Sequence, residues 1–333
     1  MTFGARLVDG LLEATVVGSF TKIGIEVRRR LEHWEDLDQV SMAGKVVLIT
    51  GASSGLGMAA ARRLARMGAS VRIVGRDPAK TVAARDAIAS ESGHDDVGVY
   101  VADLSSLDDV RSLVAEVLDR EDRLDVLVNN AGALLAERRE SVDGHEMSFA
   151  TMVLGPFALT EGLLPLLERT GGARVVNVSS GGMYTQRLVV DDLESRTGYR
   201  GSVAYARAKR ALVVLTGEWG QRHAGSGVVF HAMHPGLAAT PGVHASLPTF
   251  ERVLGPLLRS PDQGADTIVW LAAAEEPTRS NGKFWHDRRP RGTHRLPTTR
   301  EQPGERRRLW DLLVEQAGPS RRAGVDEPRP SAG

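Results

Sequence analysis

The sequence predicts an α/β protein built on a doubly wound parallel sheet of about seven strands, with helices on both faces. Three observations carry this. From Lys45 onward, short apolar runs alternate with helical stretches, the pattern of strand–helix–strand units with right-handed crossovers. A glycine-rich turn joins the first apolar run to the helix after it. Gly51, Arg76, Asp103, Asn130, Ser180 and Pro235 each fall just after one of these runs, where such sheets bind ligands.

The strands are placed at 45–50, 70–75, 97–101, 124–128, 173–179, 227–233 and 283–285. Helices are expected at about 56–67, 78–91, 106–120, 142–169, 202–223 and 262–274. The first unit is the most informative. Lys45-Val-Val-Leu-Ile-Thr50 reads as a strand, Gly51-Ala-Ser-Ser-Gly55-Leu-Gly57 as a turn, and Met58 to Met67 as a helix stopped by Gly68. A glycine turn between strand and helix lets backbone approach a phosphate and aims free N–H groups at it. The spacing is G-x-x-x-G-x-G, not the G-x-G-x-x-G of the common dinucleotide fingerprint.

A second feature lies about 150 residues further on, in Ser202-Val-Ala-Tyr205-Ala-Arg-Ala-Lys209. The chain has only four tyrosines and five lysines, against 37 arginines, so this pairing is not filler. Alanines and branched aliphatics without Gly or Pro favour a helix, and residues four apart then share a face. A phenol titrates near ~10; a nearby ammonium favours the phenolate and lowers that value, making a usable general acid or base.

Together these stretches resemble the short-chain dehydrogenase/reductase family. The motifs stand in family order as Thr50-Gly51-Ala-Ser-Ser-Gly55-Leu-Gly57, Asn129-Asn130-Ala131-Gly132, Ser180, and Tyr205 with Lys209, and Asp103-Leu104 and Pro235-Gly236 also match. The likeness covers roughly residues 44 to 285. Ser179-Ser-Gly-Gly-Met183, His234-Pro-Gly, Thr240-Pro-Gly-Val243 and Phe284-Trp-His-Asp287-Arg-Arg-Pro290 through His294 narrow it to the branch resembling member-12-like and retinol-dehydrogenase-like proteins.

The resemblance implies hydride transfer between a nicotinamide and a carbonyl or alcohol, probed below residue by residue. Tyr205 exchanges the proton. Lys209 lowers its pKa and binds the nicotinamide ribose. Ser180 holds the substrate oxygen. The implied cofactor site comprises Gly51, Ser53, Ser54, Gly55, Leu56 and Gly57, then Arg76, Asp103 and Leu104, then Asn130, Ala131 and Gly132. Tyr205, Lys209, Pro235, Gly236, Leu237 and Thr240 complete it. The separation of 25 residues between Ser180 and Tyr205 is about twice that of many members, so Gly181–Gly201 is an insertion. Ser179 is an alternative to Ser180, but strand neighbours point to opposite faces. Tyr184, in the insertion, is expected to wall the substrate pocket. Many relatives carry an Asn where this chain has Met152, and a thioether cannot replace an amide in bonding a relay water; Thr151 is an imperfect substitute.

Cofactor preference turns on Val71-Arg-Ile-Val-Gly75-Arg76-Asp77. No acid ends the strand to meet a ribose 2′-OH, and Arg76 suits a 2′-phosphate, so NADP(H) is expected over NAD(H). Asp77, followed by Pro78, reads as a helix cap. His231 and His234 lack a carboxylate partner at ligand spacing, and no metal is expected.

Composition bounds the rest. Net charge is zero, giving no reason to expect nucleic acid, and no cysteine is available for disulfides or thiolate chemistry. The excess of Arg over Lys fits a GC-rich bacterial genome. Asp9 and Glu13 interrupt the apolar start, arguing against a secretory signal. The long uncharged stretch 223–250 carries histidines, prolines and glycines and reads as strand and loop, not as a membrane span. A soluble, cytoplasmic protein is the expectation. Residues 1–43 form a helical extension with amphipathic spacing at Leu7, Leu11, Leu12, Val16 and Val17 and again from Ile25 to Trp34. It is expected to pack on the body or a second subunit, with peripheral membrane or partner binding as the alternative. The family resemblance makes a homo-oligomer an option. Residues 44–290 form the dinucleotide-binding domain. Beyond them, 291–317 carry arginine runs and a surface helix, and 318–333 a disordered tail.

Overall fold

The computed structural model describes residues 3–239 and 255–318. One sheet runs through it in the order β3-β2-β1-β4-β5-β6-β7-β8. The strands are β1 (Val46–Thr50), β2 (Ser70–Gly75), β3 (Val97–Val101), β4 (Val126–Asn129), β5 (Arg174–Val178), β6 (Val229–Met233), β7 (Lys283–His286) and β8 (Arg289–Pro290). All neighbours through β7 are parallel, while β8 pairs antiparallel with β7. The eighth strand was not foreseen. It exists because Asp287 and Arg288 both take left-handed backbone (φ 51° and 57°) and fold the chain straight back.

The order reverses between β1 and β4, so a crevice opens at their carboxyl ends. One face of the sheet carries α4 (Gly55–Arg66), α5 (Pro78–Ser92) and α10 (Pro261–Ala273); the other carries α6 (Leu107–Arg120), α8 (Gly155–Thr170) and α9 (Gly201–Arg222). Each face has its own apolar core. Val47, Ile49, Ala60 and Leu64 lie in one, and Leu48, Leu127, Phe157 and Trp219 in the other, as alternation along a strand requires.

The helix expected at 142–169 is broken. A short turn, α7 (Met147–Phe149), leads into a wide π turn at Ala150–Leu154 before α8 begins. At Gly155 a β-carbon would lie 2.2 Å from the Leu104 carbonyl oxygen, so helix and loop touch backbone to backbone. Pro156 then starts a regular helix.

The N-terminal extension folds as three helices, α1 (Phe3–Glu13), α2 (Val16–Phe20) and α3 (Lys22–Leu31), rather than a pair. Thr15 and Thr21 cap the second and third, each accepting from a backbone N–H two or three residues on. Their orientation reverses the expectation. Leu7 and Leu11 are 58% and 65% exposed, while Asp9 and Glu13 turn inward. They do so because Arg28 is fully buried and bonds Asp9 at 2.7 Å and Glu13 at 2.8 Å.

At the other end, α11 (Glu305–Ala317) is less of a surface helix than expected. Leu309, Trp310 and Leu313 are buried, and Trp310 meets Phe157 edge-on at 5.2 Å. The tail expected to be disordered, 318–333, lies outside the described residues apart from Gly318.

Candidate active site

The turn after β1 is built for close approach. Gly51 has φ 64°, and a β-carbon on it would come within 2.8 Å of Ala131 Cα. On Gly57 a β-carbon would meet Asn130 Nδ2 at 2.5 Å and the Gly51 carbonyl at 2.6 Å. Asn130 uses that amide to hold the turn, donating to the Thr50 carbonyl at 2.8 Å and to the Gly51 carbonyl at 3.2 Å. Thr50 Oγ1 accepts from the backbone N–H of Asn130 and of Ala131. The glycine turn and the Asn129–Gly132 segment are thus one bonded unit. Gly55 also takes left-handed backbone, φ 58°. Ser53 and Leu56 are half-buried and Ser54 is exposed. Ser54 caps α4 without a side-chain bond, leaving the first N–H groups of that helix available to a phosphate.

Arg76 follows β2, is exposed, and has no hydrogen bond or ion pair among the described residues. Asp77 accepts from Lys80 N at 3.0 Å, the cap its sequence suggested. Asp103 is committed to its own turn, accepting from the Ser105 N–H and hydroxyl, and Leu104 is buried behind it.

Ser179 and Ser180 point different ways. Ser179 Oγ donates into α9, to the Lys209 carbonyl at 2.9 Å. Ser180 Oγ accepts from Gly182 N at 3.2 Å, which leaves its proton free to donate, and it faces the Tyr205 phenol. Burial raises the pKa of Tyr205, and the Ser180 hydroxyl works against that rise. The expected lowering by Lys209 is not the operating effect here. The Lys209 ammonium sits 5.8 Å from the Tyr205 ring centre and donates to the Val178 carbonyl at 2.7 Å. Burial pushes its pKa down to about 7.

Met152 lies in the π turn, fully buried. A β-carbon added to Gly132 would be 3.0 Å from Met152 Sδ and 3.5 Å from Lys209 Nζ. The thioether therefore stands beside the lysine, as its sequence position suggested.

Pro235-Gly236-Leu237 continues from β6. Gly236 has φ 76°, and Leu237 N donates to the Phe20 carbonyl at 2.7 Å. Thr240 lies outside the described residues. Tyr184 is buried rather than lining an open pocket, its hydroxyl donating to the Gly292 carbonyl at 2.9 Å. His231 and His234 are both buried and serve the backbone, bonding Pro277 O and Gly236 N respectively.

One cluster beside the site was missed from sequence. The arginine run after β7 is not a solvated charge run. Asp287 is fully buried and accepts from Arg28 Nη1 at 2.6 Å and from Arg259 Nη1 at 2.6 Å. Arg288 pairs with Asp266, and Arg291 and Arg295 reach Asp9 and Glu13. The available signal was Arg28, which shares a helix face with Gly24 and Ile25, both buried.

A family model described as short chain dehydrogenase matches residues 45–249. The chain is 41% identical over 304 residues to "Dehydrogenase/reductase SDR family member 12" of Homo sapiens, spanning 90% of this chain and 94% of that one. It is 35% identical over 284 residues to "Retinol dehydrogenase 13" of Homo sapiens, spanning 82% and 84%. A crystal structure of an uncharacterized protein from Mycobacterium paratuberculosis superposes with a TM-score of 0.68 at 32% identity, covering 85% of this chain and 97% of its own. A Beutenbergia cavernae structure described as an NAD(P) dependent gluconate 5-dehydrogenase with bound NADP gives 0.62 at 27% identity, covering 74% and 96%. The chain belongs to the short-chain dehydrogenase/reductase family, oxidoreductases of alcohol and carbonyl groups.

These relatives overturn the cytoplasmic expectation. Several are named for retinol, a lipid that partitions into membranes, which does not favour a cytoplasmic protein. In addition, Met147–Thr170 is long and apolar enough to cross a membrane, although 67% of its most apolar window is buried within this fold.

Proposed function

We propose that the chain is an NADP(H)-dependent oxidoreductase that interconverts a carbonyl and an alcohol on an apolar small molecule. The observation that carries this is the gathering of Ser180, Tyr205 and Lys209 at the carboxyl end of β5, with the Ser180 hydroxyl facing the Tyr205 phenol and Lys209 buried one helical turn away. The cofactor fits the residues present. Glycines at 51 and 57 let the turn close against Ala131 and Asn130, where a β-carbon would collide, and the helix after it starts with no capping side chain on its first N–H groups. Lys209 offers its ammonium, and Arg76 an exposed guanidinium suited to a 2′-phosphate. When bound, the nicotinamide supplies or accepts the hydride.

The chain's own residues do the rest. Ser180, its oxygen already accepting from Gly182 N, turns its one proton to the substrate oxygen. Tyr205 gives that oxygen a proton in reduction and takes it back in oxidation. Lys209, held by the Val178 carbonyl, offers its ammonium to the ribose. Half-buried Leu237 adds apolar surface to the crevice, and relatives named for retinol support a lipid-like substrate. NADP-bound structural relatives support the cofactor choice. The runner-up reading is an NADP-binding adaptor of low turnover working through its N-terminal helices. The pairing of buried Arg28 with Asp287 and of Asp9 with Arg291 counts against such a detachable arm.

The test is NADPH consumption over a panel of apolar aldehydes and ketones, with Tyr205→Phe alongside. Loss of the proton donor lowers turnover by roughly 10²–10⁴-fold with cofactor affinity little changed. Turnover of Tyr205→Phe within a factor of a few of the parent would sink the assignment.

A further inference from the structure

Three successive carbonyls of the N-terminal extension reach the loops of the candidate site. Ser19 O accepts from Arg259 Nη2 at 2.9 Å, Phe20 O from Leu237 N at 2.7 Å, and Thr21 O from Arg259 Nε at 3.2 Å. The end of α2 and its junction with α3 are thereby fixed against the Pro235–Leu237 loop and Arg259. This segment's one large side chain turns toward the other loop. Phe20 is 4% exposed, and its ring edge fills the space above Gly181, where a β-carbon would lie 2.7 Å from Cε2 and 3.1 Å from Cδ2. The same ring stacks with Tyr184 at 6.4 Å.

Gly181 and Tyr184 belong to the single 3-10 turn Gly181–Thr185, whose N-cap is Ser180. Two bonds tie that turn to Ser180: Gly182 N to its hydroxyl at 3.2 Å and Met183 N to its carbonyl at 3.1 Å. No proton-transfer group lies on α2 or α3 near this point, yet the ring bears directly on the residue after Ser180. A misplacement of about 1 Å in a group that must meet a reacting atom can cost on the order of 10²-fold in rate.

We propose that Phe20 is a positioning residue of the active site, its ring pressing the Gly181–Thr185 turn into the one conformation that aims Ser180 Oγ at the substrate oxygen and Tyr205. The N-terminal extension is then a working part of the catalytic crevice. This rests on the catalytic reading of Ser180 and Tyr205 given above.

A double-mutant cycle tests it. Phe20→Ala keeps the backbone carbonyl that Leu237 uses and removes the ring. It should lower kcat by roughly 10–10²-fold while KM and the NADPH Kd stay within about threefold. Gly181→Ala alone drives a methyl into the ring and should cost a similar factor. The double variant places that methyl in the vacated space, so its kcat should exceed the product of the two single losses by about tenfold or more. Phe20→Leu, which keeps apolar bulk, should retain most of kcat. If Phe20→Ala does not fold, the same cycle is run with Phe20→Leu.

Two results overturn the proposal: single losses that multiply to within about twofold, or a Phe20→Ala protein that melts earlier yet turns over like the parent while folded. Tyr205→Phe measured in parallel separates the causes. If it loses turnover while Phe20 and Gly181 act independently, only the positioning role fails. If it keeps turnover, the catalytic reading itself fails.

Discussion

Asp287→Asn isolates the charge at the centre of the buried cluster. Asparagine keeps the shape of aspartate and tolerates left-handed backbone, so the φ of 51° at this position adds little cost of its own. What changes is electrostatic. The carboxylate accepts from Arg28 Nη1 and from both Arg259 Nη1 and Nη2, at 2.6, 2.6 and 2.9 Å. Arg28 retains Asp9 and Glu13, but Arg259 retains only carbonyls and His286 among the described residues. Removing one partner of a buried ion pair costs roughly 3–5 kcal/mol, or a fall in Tm of roughly 6–20 °C for a domain of this size. Circular dichroism melts at neutral pH provide the measurement. The pH dependence has a definite sign. Burial would raise the Asp287 pKa, but the charges of His286 and Arg259 and the bond from Arg259 overcome it and hold the carboxyl well below the usual range. A depressed carboxyl stabilises above its unfolded pKa of about 3.9 and loses that contribution as pH falls toward the folded value. The gap between parent and variant should therefore hold from pH 7 down to about 4 and narrow below. A gap under about 1 kcal/mol at pH 7 would refute the reasoning and class these arginines as adequately served by carbonyls.

Further outcomes follow from single residues. Arg76→Ala should weaken NADPH by about 10–150-fold, the equivalent of a charge-assisted bond of roughly 1.5–3 kcal/mol, and leave NADH unchanged; equal losses in fluorescence titrations would make Arg76 structural. Met152→Asn puts an amide beside Lys209 Nζ and should raise turnover or shift its pH profile, at a stability cost of about 1–3 kcal/mol if the amide finds no partner; a stable variant with unchanged rates between pH 6 and 9 would count against a relay role. Burial holds Lys209 to a pKa of about 7, and an anionic dinucleotide against it favours the ammonium. NADPH binding should then take up a proton above pH 7, and affinity should fall as pH rises from 7 toward 9; calorimetry in buffers of different ionisation heat reads this, and Lys209→Met should abolish it.

Most of the fold was legible because β1 to β7 are short, mainly apolar runs, each followed within two residues by glycine or a polar residue. The glycine turn and Asn129–Gly132 were legible as separate motifs, though not as the bonded unit that Thr50 and Asn130 make of them. The break before Gly155 was not visible, since it comes from contact with Leu104, 51 residues earlier. The buried cluster was hidden for a different reason. Arg289, Arg291 and Asp9 carry the same letters whether hydrated or paired, and a search for apolar stripes assigns charged residues to solvent. The amphipathic spacing of Leu7 and Leu11 gives no hint that they stay exposed while Asp9 is buried.

The pairing of Arg28 with Asp287 spans 259 residues, and that sets an order of events during synthesis. At roughly 5–20 residues per second, Asp287 follows Arg28 out of the ribosome by roughly 13–50 s. Arg259, which receives the carbonyls of Ser19 and Thr21, appears almost as late. The segment made first can thus be seated only after β7 is complete. Until then Arg28 has no buried anion from the body to meet. The sheet must assemble from β1 outward with its own N-terminus waiting. On ribosome-bound nascent chains a probe at Trp34 should accordingly report its final environment only once Asp287 has emerged, the oldest part of the chain being the last to arrive.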